Sequence, residues 1–553
     1  MIITATSSNI VHNPRLSSAA LSNEKTRHVT RCEQRRHCSG YRPPHRAKII
    51  AVGIICLALE LISPAVFAAA PTLVSVVVRG STVYDAPTLF AIYREQLGKP
   101  VTNTGARAIA AALLAKYEGD GYSRPQIKVD DSLLEVGVLR FDLLEPRIAE
   151  VRVNGDPGPH LERLESLGSR LQDETPITQA GVATALRQMR ALPGLSLQAT
   201  TARDATSTHL YRLDLDTQFD RTTGAVRLSN RGTDEAGPNF VMGQVMANGL
   251  LDGQTNIGAM FGAATDYDEY HGLGVLANVG IGTAGSRLSF NGFRSRSDPN
   301  EAPVNLDDSY LRDRVSISYA RAVPKFERAN LSLAAALDFD DLEILRSGER
   351  LRDERLRMLT VGPRFNWGHG RAAQSLAAIE VVKGLDAFGS GLAALDIEDD
   401  PRRADFLLSR FTFMRLHRVT DFWSVRLDAL AQQTAYTLPY GERFKIGGDR
   451  LGRGFEVAEI AGDQGIGAKV EGRRSLPGAP AALRNVSLYG FYDIGATWKN
   501  DAPGRESAAT AGFGFATQST RLSGTLELAK PLTHPDVEGR KELSLFAEIG
   551  LTF

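Results

Sequence analysis

The last twelve residues, Glu542 to Phe553, place Leu543, Leu545, Ala547, Ile549, Leu551 and Phe553 at every second position, with Ser544, Glu548, Gly550 and Thr552 between them. Alternate side chains of a strand point to opposite faces, so this pattern offers one face to lipid and one to a wet lumen. Similar segments recur back to about residue 221. Candidate strands fall at 221–232, 239–250, 254–264, 270–281, 285–296, 312–323, 329–341, 353–367, 374–384, 404–418, 422–434, 464–475, 485–498, 509–518, 521–531 and 541–553. Sixteen strands of this length predict a closed antiparallel membrane all-β barrel over 219–553, with the lipid bilayer as its surroundings. With both barrel ends on the inner side, long outer loops should alternate with short inner turns. Charged stretches at 297–311, 342–352, 385–403 and 435–463 do alternate with short ones at 282–285, 418–421 and 517–520.

Residues 1–70 read as a leader. Arg42, Arg46 and Lys48 precede an apolar run from Ile49 to Phe67, and Val66-Phe67-Ala68-Ala69-Ala70 suits signal-peptidase cleavage. An initiation codon upstream of the true one would explain residues 1–40 as well as a genuine extension would. All three cysteines (Cys32, Cys38, Cys56) lie in this leader. A cysteine-free mature chain suits an oxidising periplasm and leaves no place for disulfides or thiolate metal sites. Without the leader's nine basic and three acidic residues, 55 basic and 61 acidic remain, a net charge of −6 that suggests no nucleic acid partner.

Between 71 and 218 helical and strand periods alternate. Leu73–Gly80 reads as a strand closed by glycine. A helix follows, capped by Asp85, with Pro87 in its first turn and Leu89, Ile92, Tyr93 and Leu97 on one face. Ile109, Leu113 and Tyr117 mark a second helix, and strands are expected at 127–129 and 134–138. About 75 residues on, the order returns. Ile148–Gly155 forms a strand, Leu161, Leu164 and Leu167 mark a helix, Thr178 caps another bearing Val182, Leu186 and Met189, and Leu210–Leu215 closes the unit. Two small α+β modules, 71–146 and 147–218, are therefore expected in tandem. Any α+β domain could share this order, so the pattern alone leaves the repeat open.

The chemistry of an enzyme is missing from the sequence. Gly280-Ile281-Gly282-Thr283-Ala284-Gly285 fits the G-x-G-x-x-G dinucleotide pattern, yet strand periodicity runs on both sides where a helix should follow, so a glycine-rich turn is expected. The histidines after the leader (His160, His209, His271, His369, His417, His534) are scattered, with no i, i+4 pair. No catalytic residue, cofactor or metal site is assigned.

Residues 435–463 make the longest connection, well past the length at which a loop without structure becomes unusual. The loop carries Phe444 to Phe455, with Gly447, Gly448, Gly452 and Gly454 around Arg453. The thirteenth strand, Val486 to Gly495, then aims Ser487, Tyr489, Phe491, Asp493 and Gly495 at the lumen. Arg453 either folds inward onto Asp493 or stays in solvent while Asp493 wets the pore.

At these positions the chain resembles a known family. Phe491-x-Asp493-x-Gly495 resembles the F-x-D-x-G strand motif of the outer-membrane superfamily that assembles or secretes proteins. Gly447-Gly448 through Arg453-Gly454-Phe455 resembles that superfamily's inward loop signature. Ile460 to Gly465 and Val470-Glu471 resemble the two-partner secretion transporters of the haemolysin secretion/activation type. Two POTRA-like repeats and sixteen strands extend the likeness over residues 71–553. The resemblance implies an outer-membrane transporter with periplasmic POTRA modules that capture a large unfolded partner protein and secrete it without nucleotide hydrolysis. It also implies an Arg453–Asp493 pair inside the barrel, and a terminal Phe553 read by the barrel-assembly machinery. The alternatives are an assembly factor that inserts other barrels, which normally has three or more POTRA modules, and a passive porin, which needs neither modules nor an inward loop.

Overall fold

The computed structural model describes residues 71–204, 207–233, 237–251, 253–282, 285–299, 308–323, 330–370, 372–395, 399–478, 485–533 and 542–553. The leader lies outside the described residues.

The first module comprises β1 (Ser75–Arg79), α1 (Ala86–Tyr93), α2 (Asn103–Gly119), β2 (Gln126–Asp130) and β3 (Val138–Leu144). Asp85 caps α1 by accepting the Thr88 N–H at 3.1 Å, and Thr102 caps α2 by accepting that of Gly105 at 3.0 Å. Leu89, Ile109, Leu113 and Tyr117 bury one helical face against Leu139, Phe141 and Leu143 of β3. The strand expected at 134–138 is a correction. Leu134–Val136 is a 3-10 turn ended by Gly137 in the left-handed region, and the strand starts beyond it at Val138. The buried alternation of Leu139, Phe141 and Leu143 is what fixes that register.

The second module repeats the plan with β4 (Arg147–Gly155), α3 (Leu161–Asp173), α4 (Gln179–Arg190), β5 (Leu195–Arg203) and β6 (Leu210–Phe219). In both sheets the last strand is central, parallel to the first and antiparallel to the second: β1-β3-β2 and β4-β6-β5. Leu164, Leu167, Leu171 and Met189 pack on Leu213, Leu215 and Ile148. The sequence gives no expectation of a strand at β5, although Leu195, Leu197 and Ala199 alternate there with Ser196, Gln198 and Thr200 and pack on the module's core.

The barrel follows as β7 (Thr222–Ser229), β8 (Phe240–Leu250), β9 (Thr255–Ala264), β10 (Tyr270–Ile281), β11 (Ser286–Ser297), β12 (Asp308–Ala322), β13 (Asn330–Arg346), β14 (Glu349–His369) and β15 (Ala373–Gly384). It continues as β16 (Gly391–Ala394), β17 (Leu407–Arg418), β18 (Trp423–Thr434), β19 (Phe444–Ile446), β20 (Ile460–Gly462), β21 (Gln464–Ser475), β22 (Ser487–Trp498), β23 (Glu506–Gln518), β24 (Leu522–Pro531) and β25 (Ser544–Thr552). Sixteen of these make the antiparallel wall, closed by β25 on β7; β16 only extends β14 in an outer connection, and β19 with β20 is a hairpin of the long loop. Apolar residues face outward, as Leu488, Tyr492 and Ile494 do on β22, while Ser487, Tyr489, Phe491 and Asp493 are buried on its inner face.

The expected loop at 342–352 is instead strand, because β13 and β14 continue pairing to a tight turn at Ser347-Gly348. The rule of long outer and short inner connections also bends. The outer connection between β9 and β10 is only 265–269, and the inner one between β21 and β22 runs over 476–486.

The second module rests against the barrel's inner rim. Asp220 N–H donates to Gly194 O at 2.8 Å, and the Asn248 amide donates to Asp220 O at 3.1 Å. His160 is buried, 2.8 Å from Pro193 O through Nε2, edge-on to Phe219, and a side-chain carbon on Gly253 of the β8–β9 turn would sit 3.2 Å from its Nδ1.

Candidate functional site: an arginine anchor inside the barrel

The loop at 435–463 turns into the lumen and carries its own core with it. Phe444, Ile446, Leu451, Phe455 and Ile460 are buried together with Ala508 of β23. Small residues on the inner wall make room for them. A methyl group on Gly467 would come within 2.2 Å of Leu451, and one on Gly495 within 2.9 Å of Ile446 and 3.0 Å of Leu451. Gly447 is required by the backbone itself, with φ at 121° and Glu456 O in the space a side chain would fill. At the loop's base, the fully buried Asp463 accepts the N–H groups of Leu438 (2.8 Å) and Asn500 (2.7 Å).

Arg453 lies at the inner end and is 6% exposed. Its Nη2 donates to Asp493 Oδ1 at 2.9 Å and its Nε to Oδ2 at 3.1 Å, a two-pronged contact. The N–H groups of Gly452 and Arg453 both reach Asp493 Oδ2 at 3.2 Å, so Asp493 holds the loop's backbone as well as its charge. The remaining nitrogen, Nη1, donates to Glu471 at 3.1 Å and Glu527 at 3.3 Å. The guanidinium stacks 3.5 Å above the Phe491 ring. Phe455 is buried in the loop's core, and Gly454 lies against β23 and β24, where a methyl group would come within 2.8 Å of Thr510 and 3.0 Å of Pro531 N.

The structure thus brings together Gly447, Gly448, Arg453, Gly454, Phe455, Phe491, Asp493 and Gly495. Phe553 is elsewhere, at the inner end of the closing strand, where it exchanges backbone hydrogen bonds with Gly224 at 2.8 and 3.0 Å. Sequence reasoning left Glu527 and Tyr489 out of the site. Tyr489 Oη donates to Glu527 Oε2 at 2.8 Å, joining β22 to β24 beneath Arg453. The signal was present in the pattern, since Glu527 is the lone charge among the inward-facing Ser523, Thr525, Glu527, Ala529 and Pro531 of β24.

The arrangement contains no nucleophile beside a base, and no metal-binding group is found among the described residues. Its chemistry is mechanical: a buried cation held by three carboxylates and a ring fixes a loop inside a pore.

Residues 312–517 match the family described as haemolysin secretion/activation protein ShlB/FhaC/HecB. Among solved structures, the chain is similar to CdiB from Escherichia coli, with a TM-score of 0.72 and 18% identity over 89% of this chain and 92% of that one. It is also similar to CdiB from Acinetobacter baumannii, with a TM-score of 0.61 and 15% identity over 87% of this chain and 90% of that one. No curated protein sequence matches. These findings bear out the resemblance noted in the sequence, and at such identities the structural likeness speaks for the fold.

Proposed function

We propose that this chain, matching the haemolysin secretion/activation family through the middle of its barrel and sharing the CdiB fold, is an outer-membrane two-partner secretion transporter. The two modules (71–146 and 147–218) lie in the periplasm and capture a large partner protein while it is unfolded; the barrel (219–553) passes it outward. The single observation that carries this reading is the anchored loop. A passive pore has no need to hold a folded loop in its lumen by a buried ion pair, whereas a channel for a polypeptide needs an obstruction that stays ordered at rest.

Capture fits the modules' geometry. Each sheet has a single central strand, so β1 and β2 in the first sheet, and β4 and β5 in the second, are edges. An extended client adding a strand to such an edge gains main-chain hydrogen bonds whatever its sequence. With no nucleotide in the periplasm, the driving force is the partner's folding outside, which makes return unfavourable. The test is export from cells carrying the full chain or a chain lacking residues 71–218, paired with a large secreted protein encoded beside it. The truncated chain should insert yet export nothing. Normal export without the modules would refute the capture step.

A further inference from the structure

We infer that Arg231 is a second anchor, which ties the inward loop to the strand pair that closes the barrel. The seam between β25 and β7 is short. Its strand register runs from Glu548 opposite Ser229 to Thr552 opposite Ala225, five pairs against eight for β24 with β25, and Phe553 with Gly224 adds one more at the inner end. Beyond the last pair, on the outer side, Asn230 replaces missing backbone pairing. Its N–H donates to Ala547 O at 3.2 Å, its Oδ1 accepts the Ala547 N–H at 2.7 Å, and its Nδ2 donates to Leu545 O at 3.0 Å.

The next residue, Arg231, reaches from this clamp in three directions. Nη2 donates to Glu527 Oε1 of β24 at 2.6 Å, Nε lies 2.9 Å from Asp449 Oδ1 in the inward loop, and the guanidinium covers the Phe546 ring of β25 at 4.1 Å. Glu527 is shared. Its other oxygen accepts from Arg453 Nη1 at 3.3 Å and from Tyr489 Oη at 2.8 Å. One nearly buried carboxylate therefore stands between the loop's main anchor and the seam, and a second contact, to Asp449, closes the circuit through the loop. A planar fork can serve two carboxylates and a ring at once, which a lysine ammonium cannot. The Asp449 contact alone is weak, because that side chain is 68% exposed. The Glu527 contact, 14% and 3% exposed on its two sides, sets the strength of the link. Withdrawal of the loop must break or drag Arg231, and so loosens the outer end of the seam.

This coupling belongs to the barrel and stands apart from whether a partner protein is exported. It is tested on the full chain in lipid vesicles by hydrogen exchange at residues 545–548, with heat-modifiable gel mobility confirming assembly. Arg231→Ala should speed exchange there about tenfold, corresponding to about 1.4 kcal/mol. Arg453→Ala, which frees the loop without touching the seam, should also speed it. A second reading uses Arg450→Cys as a thiol reporter on the loop, since the chain has no cysteine after Cys56. Arg231→Ala and Asp449→Ala should each raise its labelling by a maleimide, the pair together no more than the stronger single, with Arg231→Lys in between. Unchanged seam exchange in Arg453→Ala, or additive labelling effects, would overturn the inference. If Arg231→Ala fails to assemble, Asp449→Ala and Arg453→Ala still decide it.

Discussion

Arg453 is bound to three acidic side chains at once, and this makes the two ends of the anchor unequal. Arg453→Ala leaves Asp493, Glu471 and Glu527 facing one another without their common cation. Asp493→Ala leaves the arginine two other carboxylates. Uncompensating a buried charge costs on the order of 3–5 kcal/mol, less where lumen water reaches the site. Arg453→Ala should therefore give the larger loss of export and the noisier single-channel conductance. The double variant should fall well short of the summed effects, because both remove one shared network. Equal, additive defects would contradict this network. A second residue makes a different prediction. Burial holds the His160 imidazole below its usual range, against the opposing effect of its hydrogen bond to Pro193 O. The folded state thus favours the neutral ring, and the unfolded chain takes up the proton first, near pH 6.5. The stability this contributes is complete above about pH 6.5 and is lost as pH falls from there towards the lower folded value. The thermal transition of the two α+β modules should drop between about pH 7 and pH 5, and His160→Gln should flatten that dependence.

Among elements, the inward loop depends on a smooth inner wall. Gly467 on β21 and Gly495 on β22 leave the hollows filled by Leu451 and Ile446. Gly467→Val should expel the loop while leaving Arg453 and Asp493 unaltered, so that export and resting conductance change as they do in Arg453→Ala. A resting conductance like the unsubstituted barrel's would show that the ion pair alone seats the loop. The same elements show where the sequence was legible. The strand period is clear in segments such as 312–323 and 521–531 and poor in others such as 404–418, yet all sixteen wall strands could be placed to within a few residues at most ends. It fades where a strand leaves the membrane: β13 and β14 run on with charges on both faces, and their extension read as a loop. The edge strand β5 is legible only in its first half, where Leu195, Leu197 and Ala199 alternate with polar residues before the period is lost at Thr200-Thr201. For the site, the motifs named Arg453 and Asp493, since local glycine spacing and lumen parity mark them. Glu527 and Arg231 lie 74 residues after and 222 before Arg453, and no local pattern joins them. Only closure of the barrel brings β7 and β24 beside the loop.

The whole molecule is a closed barrel with a folded loop in its lumen, preceded by two α+β modules of which the second rests on the inner rim. Under the proposed function, passage is drawn outward by the partner's folding. A partner whose repeats are altered so that they cannot fold should stall in the barrel with its leading end outside. Surface exposure of that altered partner at the normal rate would remove the ratchet. The most direct measurement of the central claim uses such a stalled partner. A photo-crosslinking residue is placed at Arg473, whose side chain lies on the lumen face of β21, and in a second chain at Ile494, on the outer face of β22. The account predicts that the stalled partner crosslinks at 473 and not at 494, and that this product disappears when residues 71–218 are removed. Crosslinking at the outer face alone, or none at 473 while export continues, would mean that the partner does not cross through this barrel.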